Sequence, residues 1–138
     1  MKKAKGWQHN LSGVIDQHRS MPFCYGETDC CLFVAACLDA MYEGAAFAND
    51  VRERLNYHNE DEANAAIAAA GGFEKIVSEF LGEPFASNYA QPGDVVLFLQ
   101  DDASKAVGIV FGHRIVGAGK QGIEFVPISR GLAAWRVG

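Results

Sequence analysis

Hydrophobic positions change period once along the chain. Between residues 7 and 82 they recur at three- and four-residue intervals, and beyond Pro84 they cluster in short runs broken by glycine. The first pattern predicts amphipathic helices and the second predicts strands. "WQHNLSGVIDQHR" (7–19) places Trp7, Leu11, Val14, Ile15 and His18 at helical spacing, with Asn10 or Ser12 able to cap or interrupt an early turn. A loop, "MPFCYGETD", follows, with Gly26 as its bend and Thr28 or Asp29 as the N-cap of the next helix.

That next segment, "CCLFVAACLDAMY" (30–42), is apolar on both faces, so its helix has to be packed on nearly all sides. Gly44 stands beyond it as a stop. A short helix over 48–55 is predicted next, then an alanine-rich helix capped near Asn59 to Asp61 and ended at Gly71-Gly72. "FEKIVSEFLG" (73–82) puts Phe73, Ile76, Val77, Phe80 and Leu81 on one stripe. Strands are expected at 93–99, 105–112, 114–119, 122–128 and 133–137. Helices first and sheet second, without repeat or linker, predict one α+β domain over residues 1–138: a buried central helix on a C-terminal antiparallel sheet of four to five short strands.

Charge narrows the function. Twelve Lys and Arg against 17 Asp and Glu give a net charge of −5, and the basic residues are scattered apart from the "KKAK" start. Nucleic-acid binding wants a concentrated cationic face, so that class is set aside. No run approaches a membrane span or a leader's apolar core, which predicts no membrane insertion and a chain that is cytoplasmic when produced.

All four cysteines, Cys24, Cys30, Cys31 and Cys37, fall within residues 23 to 44. Adjacent helical residues point about 100° apart, which opposes a disulfide among them. The spacing has neither a paired CxxC nor a nearby histidine for zinc, so no metal and no cofactor is expected. "GAGKQG" (117–122) lacks the order of a phosphate-binding loop, and the carboxylates at Glu53, Glu60, Asp61, Glu62, Asp101 and Asp102 read as solvated turns. Only Cys30 and Cys31 lie in the first helical turn, where unpaired amides favour an anion. That field is worth about 0.3–1 kcal/mol, less than one pKa unit, so a hydrolytic cysteine also needs a base.

Taken together, "PFCYGETDCCLFVA", "QPGDVVLF", "AVGIVFG" and the ending "AAWRVG" resemble the NlpC-type papain-like cysteine peptidase superfamily, closest to its small phage and prophage proteins found among tail genes. The resemblance spans residues 22 to 138 and places the nucleophile at Cys30. It also implies a catalytic histidine opening the strand at "AVGI", where this chain has Ala106, and a polar orienting residue where it offers Val116 or Ala118. The substitute bases are His18 and His113. His113 falls on the opposite strand parity and about 23 Å along an extended strand from Ala106. His9 and His58 read as solvated. Tyr25 reads as a packed loop aromatic, with projection toward a cleft as what the resemblance implies, and Trp135 reads as packing in the core or at an edge.

The resulting expectation is a tail-associated protein with an NlpC-type papain-like fold that has lost hydrolysis. Its partners would be phage tail proteins or a peptidoglycan peptide, and it would be incorporated in a phage particle. The first alternative is an active cysteine peptidase or amidase using Cys30 with His18 or His113. The second is a host-interaction or assembly module.

Overall fold

The computed structural model describes residues 1–137. Five helices precede a five-stranded sheet: α1 (Trp7–Arg19), α2 (Cys30–Met41), α3 (Phe47–Leu55), α4 (Glu60–Ala69) and α5 (Phe73–Leu81), then β1 (Val95–Leu99), β2 (Lys105–Phe111), β3 (Arg114–Gly119), β4 (Gly122–Pro127) and β5 (Gly131–Trp135). The architecture is mixed α+β, helical first and antiparallel sheet second. Among the described residues no helix is long and apolar enough to cross a membrane.

Strand order is β4-β3-β2-β1-β5, and every neighbouring pair runs antiparallel. Alternation along the strands splits the sheet into two buried faces. Val95, Leu97, Val107, Ile109, Val116 and Trp135 join the main core with α2, whose Leu32, Phe33, Val34, Cys37, Leu38 and Met41 are all buried. Val96, Phe98, Ala106, Val110, Ile115, Val126 and Ala134 form a second cluster, against which Phe85, Ala90, Ile128 and Cys30 pack. Two glycines let this second face close. A β-carbon on Gly108 would lie 2.6 Å from the carbonyl oxygen of Val116, and one on Gly117 would lie 3.1 Å from the ring of Phe98.

Several local expectations shift by one or two residues, each for a visible reason. α1 starts after Gly6 (φ 78°) instead of at a polar cap, and Asn10 inside it donates to the carbonyl of Ala40 at 3.1 Å, tying α1 to α2. α2 ends at Met41 because Tyr42 turns extended and bridges Lys3. β1 begins at Val95, since Gly93 has φ 91° and belongs to a turn closed by the Asp94 carboxylate, which accepts from the amide of Gln91. β5 runs over Gly131–Trp135, two residues earlier than the 133–137 expected, because a register shift between Leu97 and Phe98 lets Gly131 pair with Phe98.

Candidate functional site

The entry to α2 is braced from both sides. The loop before it folds on Thr28, whose hydroxyl donates to the carbonyl of Pro22 (2.6 Å) and accepts from the amide of Cys24 (2.7 Å). Gly26 turns the loop with φ 87°, and a β-carbon there would meet the carbonyl oxygen of Tyr57 at 2.6 Å. Asp29 then caps the helix: Oδ1 accepts from the amide of Leu32 (3.1 Å) and the hydroxyl of Tyr57 (2.8 Å), and Oδ2 from the amide of Gly26 (2.8 Å). With three donors on a carboxylate that is 3% exposed, Asp29 is a brace and not a proton carrier.

This brace aims Cys30 into a cleft of about 920 Å³ that Cys31, Tyr25, Tyr57, Lys105 and Lys120 also line. Cys30 is half-buried, at the start of α2, and packs against the cluster that holds Ala106 and Val110 of β2. Its thiol is lowered from the ordinary value. The chief cause is a hydrogen bond from the Cys31 thiol, opposed by burial and by the Asp29 charge, and helped by the backbone amides of Val107 and Cys31. Cys31 moves the other way, well above the ordinary value, because its proton is held toward Cys30 and it too is desolvated. The two thiols are therefore driven apart, Cys30 downward and Cys31 upward.

The other two thiols differ. Partial desolvation, with Glu27 and Asp29 nearby, pushes the exposed Cys24 up, and burial alone pushes Cys37 up. Cys37 is a core residue in the third turn of α2. Cys31 also lines a second, apolar cavity of about 50 Å³ with Val34, Val51, Ile76, Phe80 and Val107, so its side chain forms part of the wall between cavity and cleft.

Charged residues rim the cleft. Lys120, in the β3–β4 turn, reaches Glu60 at the start of α4 (2.7 Å), and Arg130 reaches Asp101 (2.6 Å). Lys120 is raised by its hydrogen bond to Glu60 and by Tyr25. The Tyr25 phenol is itself raised by burial, with Lys120 opposing and the charges of Glu60 and Cys30 adding. Lys105, exposed at the start of β2, has no carboxylate partner among the described residues.

No histidine lines this cleft among the described residues. His18 stacks edge-on against Phe33 at 5.0 Å, with Nδ1 at 3.0 Å from the carbonyl of Val14. His113 is exposed in the Gly112-His113 turn, six residues beyond Val107 and so about 20 Å along the strand. His58 pairs with Glu62 on the surface, and His9 is exposed. Ala106 is 4% exposed in the second sheet cluster, the same cluster that receives Cys30. Val116 is buried on the opposite face and Ala118 lines the cleft. No group of three or more His, Cys, Asp or Glu is placed to hold a metal among the described residues.

Tyr57 and Lys120 complete the site without having been singled out from the sequence. Tyr57 stands in the polar run "NYHNEDE" and is 7% exposed; an aromatic surrounded by solvating residues was the available sign. Lys120 offered none, because its partner Glu60 is 60 residues away.

No curated protein matches the chain at a significant level. A family model described as "Domain of unknown function (DUF6950)" matches residues 2–137. The chain therefore belongs to the DUF6950 family of domains of unknown function.

Proposed function

We propose that this protein is a phage or prophage tail-associated domain of NlpC-type papain-like fold whose cleft binds a peptide without hydrolysing it. One observation carries the non-hydrolytic part: the cleft that receives Cys30 is lined by no histidine among the described residues, and a buried alanine, Ala106, stands in the cluster beside it. Amide hydrolysis by a thiol needs a group that takes the sulfur's proton and returns it to the departing amine. Asp29 is committed to three donors, and the lysines of the rim are cations, so neither supplies that shuttle. Binding remains within reach. A volume of about 920 Å³ suits a short peptide, and a rim carrying Lys105, Lys120, Glu60 and Glu124 offers partners for both its amines and its carboxylates. The tail-associated role and the finer fold rest on the sequence resemblance, which the helices-then-antiparallel-sheet architecture supports in its coarse outline.

The test is calorimetric titration with peptidoglycan stem peptides, alongside mass spectrometry of the same mixtures. Binding with intact peptide is expected, and Ala106→His is expected to introduce slow, Cys30-dependent cleavage. Cleavage by the unaltered protein that disappears in Cys30→Ser would overturn the reading. The lowered Cys30 thiol favours that alternative, an active peptidase or amidase. Absence of peptide binding would favour an assembly or host-interaction module instead.

A further inference from the structure

β4 is an outer edge of the sheet, and it is open. At the opposite edge the chain around Phe85 closes β5: the amide of Phe85 donates to the carbonyl of Ala134 at 2.8 Å, and the amide of Ala134 returns the bond at 2.9 Å. Among the described residues no backbone segment does this for β4. Its pairing with β3 fixes which groups are free. The two-residue turn Lys120-Gln121 makes Gly119 and Gly122 the closing hydrogen-bonded pair, and Gly117–Glu124 and Ile115–Val126 follow in the same phase. Pro127, which has no amide hydrogen, falls in the other phase, opposite Arg114. Ile123 and Phe125 therefore turn their amides and carbonyls away from β3.

This edge borders the cleft. Residues from both faces of β4 line it, Glu124 and Val126 from one and Phe125 and Pro127 from the other, which places the strand's edge along the cleft. Natural edges are commonly blunted by a bulge, a lysine or a proline. β4 is in unbroken register, with its one proline at the last position. Charge selects what fits. Five carboxylates and three cations line the cleft, and two of the cations, Lys120 and Arg130, are held by Glu60 and Asp101. Glu124 has no cationic partner among the described residues, and Phe125, on the other face, is 40% exposed.

Given a cleft that binds peptide, as proposed above, we propose that its ligand is an extended segment alternating apolar and basic residues, added antiparallel to β4 as a further strand. Every other pair in the sheet is antiparallel. The residues opposite Ile123 and Phe125 exchange backbone bonds with them. The residue between, opposite Glu124, takes the close non-hydrogen-bonded position where side chains interact most. A lysine or arginine there meets the Glu124 carboxylate, and its two apolar neighbours point to the other face, onto Ile123 and Phe125. A second copy of this chain is the poorer occupant, because each copy carries a net charge of −5.

The experiment titrates the isotope-labelled full chain with the capped pentapeptide Val-Lys-Val-Lys-Val and follows amide exchange by NMR. In the free protein the amides of Ile123 and Phe125 should exchange fast and those of Glu124 and Val126 slowly. Near saturation the peptide should slow the first pair about tenfold or more. N-methylation of the valines removes edge-facing donors and should weaken binding about tenfold or more, whereas N-methylation of the lysines, whose amides face away, should not. Val-Glu-Val-Glu-Val should bind about twofold to fivefold more weakly, and Glu124→Lys should reverse that order. Binding that leaves Ile123 and Phe125 exchanging fast, or binding of stem peptides alone, would overturn strand addition while leaving a peptide cleft. Absence of binding by any of these peptides would overturn both. Equal tolerance of the two N-methyl patterns would overturn the antiparallel pairing, and an unmoved charge preference in Glu124→Lys the basic selectivity. Protection of the same amides that rises with protein concentration alone, with a dimer in sedimentation, would assign the edge to a second copy and overturn the proposal.

Discussion

Replacing Asp29 separates its two effects, because it supports the fold and opposes the thiolate at once. Alanine there strands three donors: the amides of Leu32 and Gly26 and the hydroxyl of Tyr57, bonded at 3.1, 2.8 and 2.8 Å. Loss of the cap costs about 1 kcal/mol. Each of the other two donors, left in a site where the carboxylate is 3% exposed, adds about 1 kcal/mol or somewhat more. Asp29→Ala is therefore expected to cost about 3–4 kcal/mol, a large share of the roughly 5–15 kcal/mol of an ordinary domain. Asp29→Asn keeps Oδ1 for Leu32 and Tyr57 but turns an amide toward the Gly26 amide, so about 1–2 kcal/mol is expected. Urea unfolding followed through the fluorescence of Trp7 and Trp135 measures both. The charge of Asp29 raises the thiols of Cys30 and Cys31, so removing it in Asp29→Asn lowers both and speeds iodoacetamide labelling of Cys30 at neutral pH. Weaker folding with a more reactive thiol is the signature. A loss below about 1 kcal/mol in the alanine variant, or slower labelling in the asparagine variant, would refute the brace.

The remaining tests address the sheet and core. Gly108→Ala should cost about 1–3 kcal/mol, because the new methyl lies 2.6 Å from the Val116 carbonyl oxygen and 2.7 Å from Ile115 Cγ2; an unchanged Tm contradicts this. Arg136→Ala leaves Asp94, 2% exposed, without two hydrogen bonds of 3.0 and 2.8 Å. The arginine side is 45% exposed and water repays part, so about 2 kcal/mol is expected in chemical denaturation, with Arg136→Lys recovering only a fraction; full recovery by lysine would contradict a bidentate role. Burial holds Cys37 and Tyr57 protonated above their ordinary values of 9.0 and 10.0. Their contribution is complete below those values, and as pH rises past them only the unfolded chain ionises. Stability should then fall by about 1.4 kcal/mol per pH unit per group. Cys37→Ala should show a shallower decline beginning later, and an identical alkaline limb would exclude the thiol.

What the sequence revealed was what short-range pattern encodes. The change of period at Pro84 located the boundary between helices and sheet, Asp29 was legible as a cap, and strand parity put Ala106 and Val107 on opposite faces of the sheet. The missing pieces are partnerships between distant residues. Tyr57 reaches Asp29 across 28 residues, Arg136 reaches Asp94 across 42, and Lys120 reaches Glu60 across 60. Such pairs leave no local periodicity, since each partner alone resembles a solvated residue. The same limit explains the misplaced start of β5, which follows from pairing with β1 and its register shift instead of from its own composition.

Strand order also carries a consequence for how the molecule is made. β1 is flanked by β2 and β5, and Trp135 on β5 is fully buried, with Nε1 donating to the Ser78 hydroxyl at 3.1 Å. The helical half thus lacks a piece of its own core until residues 131–135 have left the ribosome. Pairings of such sequence separation close slowly. A nascent chain stalled before Trp135 should remain sensitive to protease along β1 and α5, and acquire resistance when that strand docks.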